Sequence, residues 1–176
     1  MGSRSRNSSS GGPRKHGNFK SQERCSCDSS NEKVKKVEWI SVPSMSGSAS
    51  AAISAGRFIV DIIPGINVAA ETIVRNQKPT HDAINVYINC SNCNHNCWYT
   101  IEYMDCGRRK ETGYYHNFDV NHSEDITKDM NMKDLLTIYD NNSDNWTKEK
   151  YSLLYHNCKD FAKEKYNEIV ENYCNK

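Results

Sequence analysis

The stretch His81-Asp82-Ala83-Ile84-Asn85-Val86-Tyr87-Ile88-Asn89 decides the fold, because it alternates. Ala83 or Ile84, Val86 and Ile88 are its apolar members, the period of a half-buried β-strand. Trp98-Tyr99-Thr100-Ile101-Glu102-Tyr103-Met104 alternates again, with Tyr99, Ile101 and Tyr103 on one face and Glu102 on the other. Gly107 to Gly113 reads as a charged turn, and Tyr114-Tyr115-His116-Asn117-Phe118 as a third strand. Residues 119–149 are polar, with one short helical piece near Met132–Tyr139. From Cys158 to Tyr173 the period changes to that of a helix, with Phe161, Ala162, Lys165, Ile169 and Tyr173 along one stripe. The expected class is α+β: a small antiparallel sheet, made of a hairpin plus a third strand, packed on a C-terminal helix that carries a cysteine.

Upstream, composition divides the chain of 176 residues. Net charge is only +1, but Arg4, Arg6, Arg14, Lys15, Lys20, Arg24, Lys33, Lys35 and Lys36 crowd the first 37 positions against Glu23, Asp28 and Glu32. Residues 1–38 hold almost nothing apolar and are expected to form a disordered basic tail, since burial there cannot offset ordering entropy. Residues 39–78 are rich in small and apolar side chains broken by Pro64-Gly65, and read as a helical hairpin. Arg57, Asp61 and Glu71 interrupt it, and neither half reaches the roughly 18 apolar residues that span a bilayer. Residues 79–176 form the α+β domain. The hairpin either covers the sheet or lies on an anionic membrane surface, an option the basic tail supports. Gly2 fails the myristoylation pattern, because position 6 is Arg. Nucleic acid is an unfavourable partner, since the folded part has no excess positive charge. With no N-terminal signal peptide legible, the eight cysteines are expected to be thiols or metal ligands in a cytoplasmic protein, either free or peripheral to a membrane.

One of those thiols stands where chemistry favours it. Asn157 is a good N-cap, which makes Cys158 the first helical residue. The unpaired amides of a first helical turn stabilise thiolate over thiol. They also suit the oxyanion formed when a carbonyl is attacked, an interaction worth about 3 kcal/mol. A thiol nucleophile needs a base, usually distant in sequence. Of the six histidines, His16 lies in the tail, His95 among cysteines, His116 and His122 at or beyond the third strand, and His156 beside Cys158 but turned away by the cap. His81 remains, at the start of the first strand. Glu102, a charge within an aromatic and aliphatic strand, is the candidate to orient its imidazole; solvent exposure is the plainer reading of that carboxylate.

A His-x-Ala-Ile-x-Val strand, then a hairpin, then the Asn157-Cys158-x-x-Phe161-Ala162 helix start resembles the circularly permuted NlpC-like thiol enzymes. That clan, of permuted papain fold, includes lecithin:retinol acyltransferase-like proteins and PPPDE-like peptidases. The resemblance spans about residues 79–172. It implies Cys158 as nucleophile, His81 as general base, and a hydrolase or acyltransferase acting on a peptide or lipid acyl group without a cofactor. The related acyltransferases often carry a second His on the next strand, where this chain has cysteines.

Those cysteines are the second motif. Cys90-Ser91-Asn92-Cys93 is half of a tetrahedral zinc site, which Cys97 and Cys106, or His95, would complete. A structural zinc there would pin the hairpin; free or disulfide-linked thiols are the alternative. On the zinc reading alone, the protein would be a non-enzymatic interaction module.

Overall fold

The computed structural model describes residues 18–43, 80–152 and 155–174. Six strands form one sheet: β1 (Phe19–Ser21), β2 (Glu32–Pro43), β3 (Thr80–Cys90), β4 (Asn96–Met104), β5 (Gly107–Tyr115) and β6 (Asp119–Asp125). Their order is β1-β5-β4-β3-β2-β6, and each neighbouring pair is antiparallel. Two helices follow, α1 (Met132–Asp140) and α2 (Cys158–Tyr173).

Period two in β3 and β4 sends Ile84, Val86 and Ile88, with Tyr99, Ile101 and Tyr103, to one face. On that face Leu135 and Ile138 of α1 and Phe161, Ala162 and Ile169 of α2 complete the main core. Lys165 is also fully buried, its Nζ donating to the carbonyl of Asn141 at 2.7 Å, so the α2 stripe carries a cation satisfied by the end of α1. The opposite face has a smaller cluster of Ile40, Val42, Ala83 and Tyr115, with Phe19 and Phe118 packed against it. The expected α+β architecture, with a cysteine-bearing C-terminal helix on an antiparallel sheet, is what forms.

Three expectations are corrected. Residues 18–38 are not part of an unstructured tail: they supply β1 and most of β2, the strand between β3 and β6. Residues 39–43 are likewise strand rather than helix, and the rest of the expected helical hairpin lies outside the described residues. Gly107–Gly113 is not a turn but most of β5; the turn is Asp105-Cys106, and the strand ends at Tyr115. No helix among the described residues is long and apolar enough to cross a membrane.

Candidate active site

Cys158 is the first residue of α2 and is buried. The cap forms as expected: Asn157 accepts from the amides of Lys159 (2.9 Å) and Asp160 (3.3 Å), and the Asp160 carboxylate accepts from the Asn157 amide at 3.2 Å. This reciprocal box changes the expected oxyanion donors. The Phe161 amide donates to the Asn157 carbonyl (3.1 Å), so Lys159, Asp160 and Phe161 are all engaged within the cap. Only the Cys158 amide is left of the first turn.

His81 is the second residue of β3 and Glu102 lies on the adjacent β4, whose register begins at Ala83–Glu102. Both are buried. His81 Nε2 donates to Glu102 Oε2 at 2.7 Å, and the Cys158 thiol acts on the same ring, raising its pKa. Glu102 therefore does not face solvent. Its carboxylate also accepts from the Tyr115 hydroxyl at 2.6 Å and lies 3.6 Å from Arg109 Nη1. The amide of Asp82, one residue beyond the β3–β4 register, donates to Cys158 Sγ at 3.5 Å. The three residues chosen from sequence thus meet in one buried chain: thiol, imidazole, carboxylate.

The electrostatics follow from that chain. Burial alone would lower the His81 pKa, yet the Cys158 thiol and the Glu102 carboxylate outweigh it and push it up to about 10. Burial would raise Glu102, but His81, Tyr115 and Arg109 together hold it below the usual carboxylate range. Burial, then Glu102, raises the Tyr115 hydroxyl, which stays a donor. The imidazole is therefore held as a cation beside the thiol and the carboxylate.

Sequence reasoning missed the surroundings. Burial, then the charge of the neighbouring Cys158 thiol, raises the Tyr151 hydroxyl, which makes Tyr151 part of the thiol's surroundings. A cleft of about 330 Å³ opens beside the site, lined by Trp39, Ser41, Thr80, Asp82, Asn121, His122 and Lys159. Thr80 and Asp82 flank His81, and Lys159 follows Cys158. Asp82 fixes two of its walls, accepting from Trp39 Nε1 (2.9 Å) and Ser41 Oγ (2.7 Å). Trp39, Ser41, Asn121 and His122 belong to β2 and β6, the strands not expected from sequence. Two short alternations, Val37-Glu38-Trp39 and Ile40-Ser41-Val42, were the available signal in β2.

The cysteine set is also corrected. Cys90 and Cys93 do cluster, but their companions are Cys25 and Cys27; the four sulfurs lie within 4.8 Å of one another and could hold a metal ion. Cys97 points into the main core opposite Ile88, because strand alternation turns it away from the knuckle. Cys106 is exposed in the β4–β5 turn, at the other end of β4. His95 instead donates from Nε2 to the carbonyl of Glu23 at 2.9 Å.

Fold and site define an α+β protein with a buried Cys-His-Glu chain at a helix start. Compared with protein-family models, curated proteins and solved structures, the chain matches none.

Proposed function

We propose that the protein is a cysteine-dependent hydrolase or acyltransferase that acts on an amide or ester through an acyl-enzyme, in the manner of the permuted NlpC-like enzymes. The observation that carries this reading is the buried meeting of Cys158, His81 and Glu102, with the His81 ring bonded to the carboxylate and its pKa raised by the thiol. A thiol nucleophile needs a base beside it and a group that orients that base, and these residues supply both.

Cys158 Sγ, as thiolate, attacks the acyl carbonyl carbon; the S–C bond forms and the carbonyl electron pair moves to oxygen. To that oxygen we assign two donors, the Cys158 amide that the cap does not use and the Tyr151 hydroxyl. As the tetrahedral centre collapses, the C–N or C–O bond breaks and His81 gives its proton to the departing amine or alcohol. Neutral His81 then takes a proton from water or an acceptor as that group attacks the thioester, which frees Cys158. Glu102 holds the ring and stabilises its cationic form, helped by Tyr115 and Arg109. The cleft beside Cys158 would receive the peptide or lipid acyl group. A metal in the four-cysteine cluster, for which zinc is our reading, supplies no chemistry to these steps: four protein ligands leave no open position.

The test uses the full chain and a short activated ester. Wild type should accumulate or turn over a thioester on Cys158, seen by intact-mass spectrometry, whereas Cys158→Ala should not. His81→Ala should slow acylation by about 10²- to 10⁴-fold. Equal acylation of wild type, Cys158→Ala and His81→Ala at neutral pH would reject the reading.

A further inference from the structure

No residue from 18 to 31 is buried, yet this segment is ordered across one end of the sheet. It starts as β1 on the edge of β5, with Phe19 opposite Tyr115. Gln22 Oε1 then accepts from the amide of Trp98 on β4 at 2.7 Å, and the carbonyl of Glu23 accepts from His95 at 2.9 Å. The carbonyl of Asn31 accepts from the amide of Ser91, just past β3, at 2.9 Å. The path therefore runs from β5 past β4 to β3, and of its side chains Phe19 packs, half-buried, against the smaller core cluster. A segment with so little apolar burial needs another source of binding energy.

Midway along it, Cys25 and Cys27 meet Cys90 and Cys93. All four are free thiols, and their mutual spacing, up to 4.8 Å, suits a tetrahedron: Zn–S bonds of about 2.3 Å put the sulfurs roughly 3.8 Å apart. The Cys90–Asn94 turn is closed by Asn94 N donating to Cys90 O (2.8 Å) and Cys90 N to His95 O (2.8 Å), with Asn94 left-handed at φ 55°. Side chains of Asn94 and Asn96 both accept from Asn89 across the hairpin, at 3.3 and 2.7 Å. Such outer contacts orient metal ligands before the ion arrives.

We propose that Cys25, Cys27, Cys90 and Cys93 are the ligands of one zinc ion, and that this ion closes residues 18–31 as a strap over the end of the sheet. The inference rests on the zinc reading of the cluster given above and is independent of the acyl chemistry. Binding displaces the remaining thiol protons and leaves four thiolates on the ion. The strap is then ordered by metal coordination rather than by burial.

Metal analysis and limited trypsinolysis of the full chain test it together. Wild type should carry one zinc per chain, kept in Cys97→Ser and Cys106→Ser and lost in the double variant Cys25→Ser/Cys27→Ser. Trypsin should cut after Lys20 and Arg24 about tenfold faster once a chelator has removed the metal, and added zinc should restore protection in wild type but not in the double variant. A wild-type protein without stoichiometric zinc overturns the zinc reading and the strap with it. Bound zinc with cleavage indifferent to the chelator leaves the zinc reading standing and overturns the strap, as does zinc retained by the double variant. The chelator arm uses wild type alone, so it reports even where a variant fails to fold.

Discussion

His81 is a cation in a place where burial opposes charge, and that opposition gives the site its pH behaviour. Its pKa, raised to about 10, lies above the ordinary unfolded value, so its contribution to stability is full below about pH 6.5 and is lost as pH rises through the folded value. Glu102, held low, contributes above the usual carboxylate range and loses its contribution as pH falls through its depressed value. In the proposed turnover the same proton is the one given to the leaving group, so kcat/KM of wild type should fall above a pH of about 10. Glu102→Gln removes the anion that sustains the cation. Its alkaline limb should move toward lower pH and its kcat/KM at neutral pH should fall by about tenfold or more. A pH–rate profile with an unmoved limb would show that Glu102 does not act through His81. Tyr151→Phe separates acylation from thiol reactivity: it should slow acyl transfer by about tenfold while iodoacetamide still alkylates Cys158. His81, Cys158 and Glu102 were legible because each is a chemically unusual residue on a clear period. Tyr151 was not, since it follows the short 3-10 turn Lys148–Lys150, where no period marks a face.

At the level of elements, the start of α2 carries both stability and chemistry. Asn157→Ala deletes two accepted hydrogen bonds and should cost about 1 kcal/mol, read as a lower denaturation midpoint with an unchanged slope. Asn157→Asp keeps the acceptor and should recover most of it. Phe161→Ala empties a fully buried site against Tyr103, Tyr139 and Trp146 and should cost about 3–5 kcal/mol. The elements legible in sequence were those with an unbroken period: β3, β4, α1 and α2. In β2 the register shifts between Val34 and Lys36, so two lysines interrupt the alternation and the segment blends with the basic tail. Every residue of β6 is exposed, so its sequence holds no apolar pattern at all. In β5 the glycines that read as a turn serve the strand. Gly113 has φ 140°, and a side chain there would collide with the Lys20 carbonyl and the Phe19 ring of β1.

Across the whole molecule, the proposed strap and the Cys158 site are linked through the sheet. Phe19 of β1 packs edge-on against Tyr115 at 5.1 Å and lies under the Arg109 guanidinium at 6.0 Å; both are partners of Glu102. Loosening β1 should therefore shift how firmly Glu102 holds His81. Phe19→Ala is expected to lower the pH of the alkaline limb without changing zinc content, and chelation of wild type should shift it in the same direction. A limb that stays fixed in both would separate the two ends of the sheet. The candidate metal ligands were only half legible because a tetrahedral set is assembled in space: Cys90-x2-Cys93 is local, while Cys25 and Cys27 arrive from a segment without apolar pattern.

The strand order also dictates a sequence of events in folding. β3 and β4 are joined by a short turn and carry the main core, so their pairing closes a small loop. β1 must find β5, and β2 must find β6, across most of the domain. Contacts that distant form late. The walls of the cleft and the proposed zinc strap thus belong to the last stage of assembly, and refolding followed by tryptophan fluorescence should contain a late phase whose amplitude depends on added zinc.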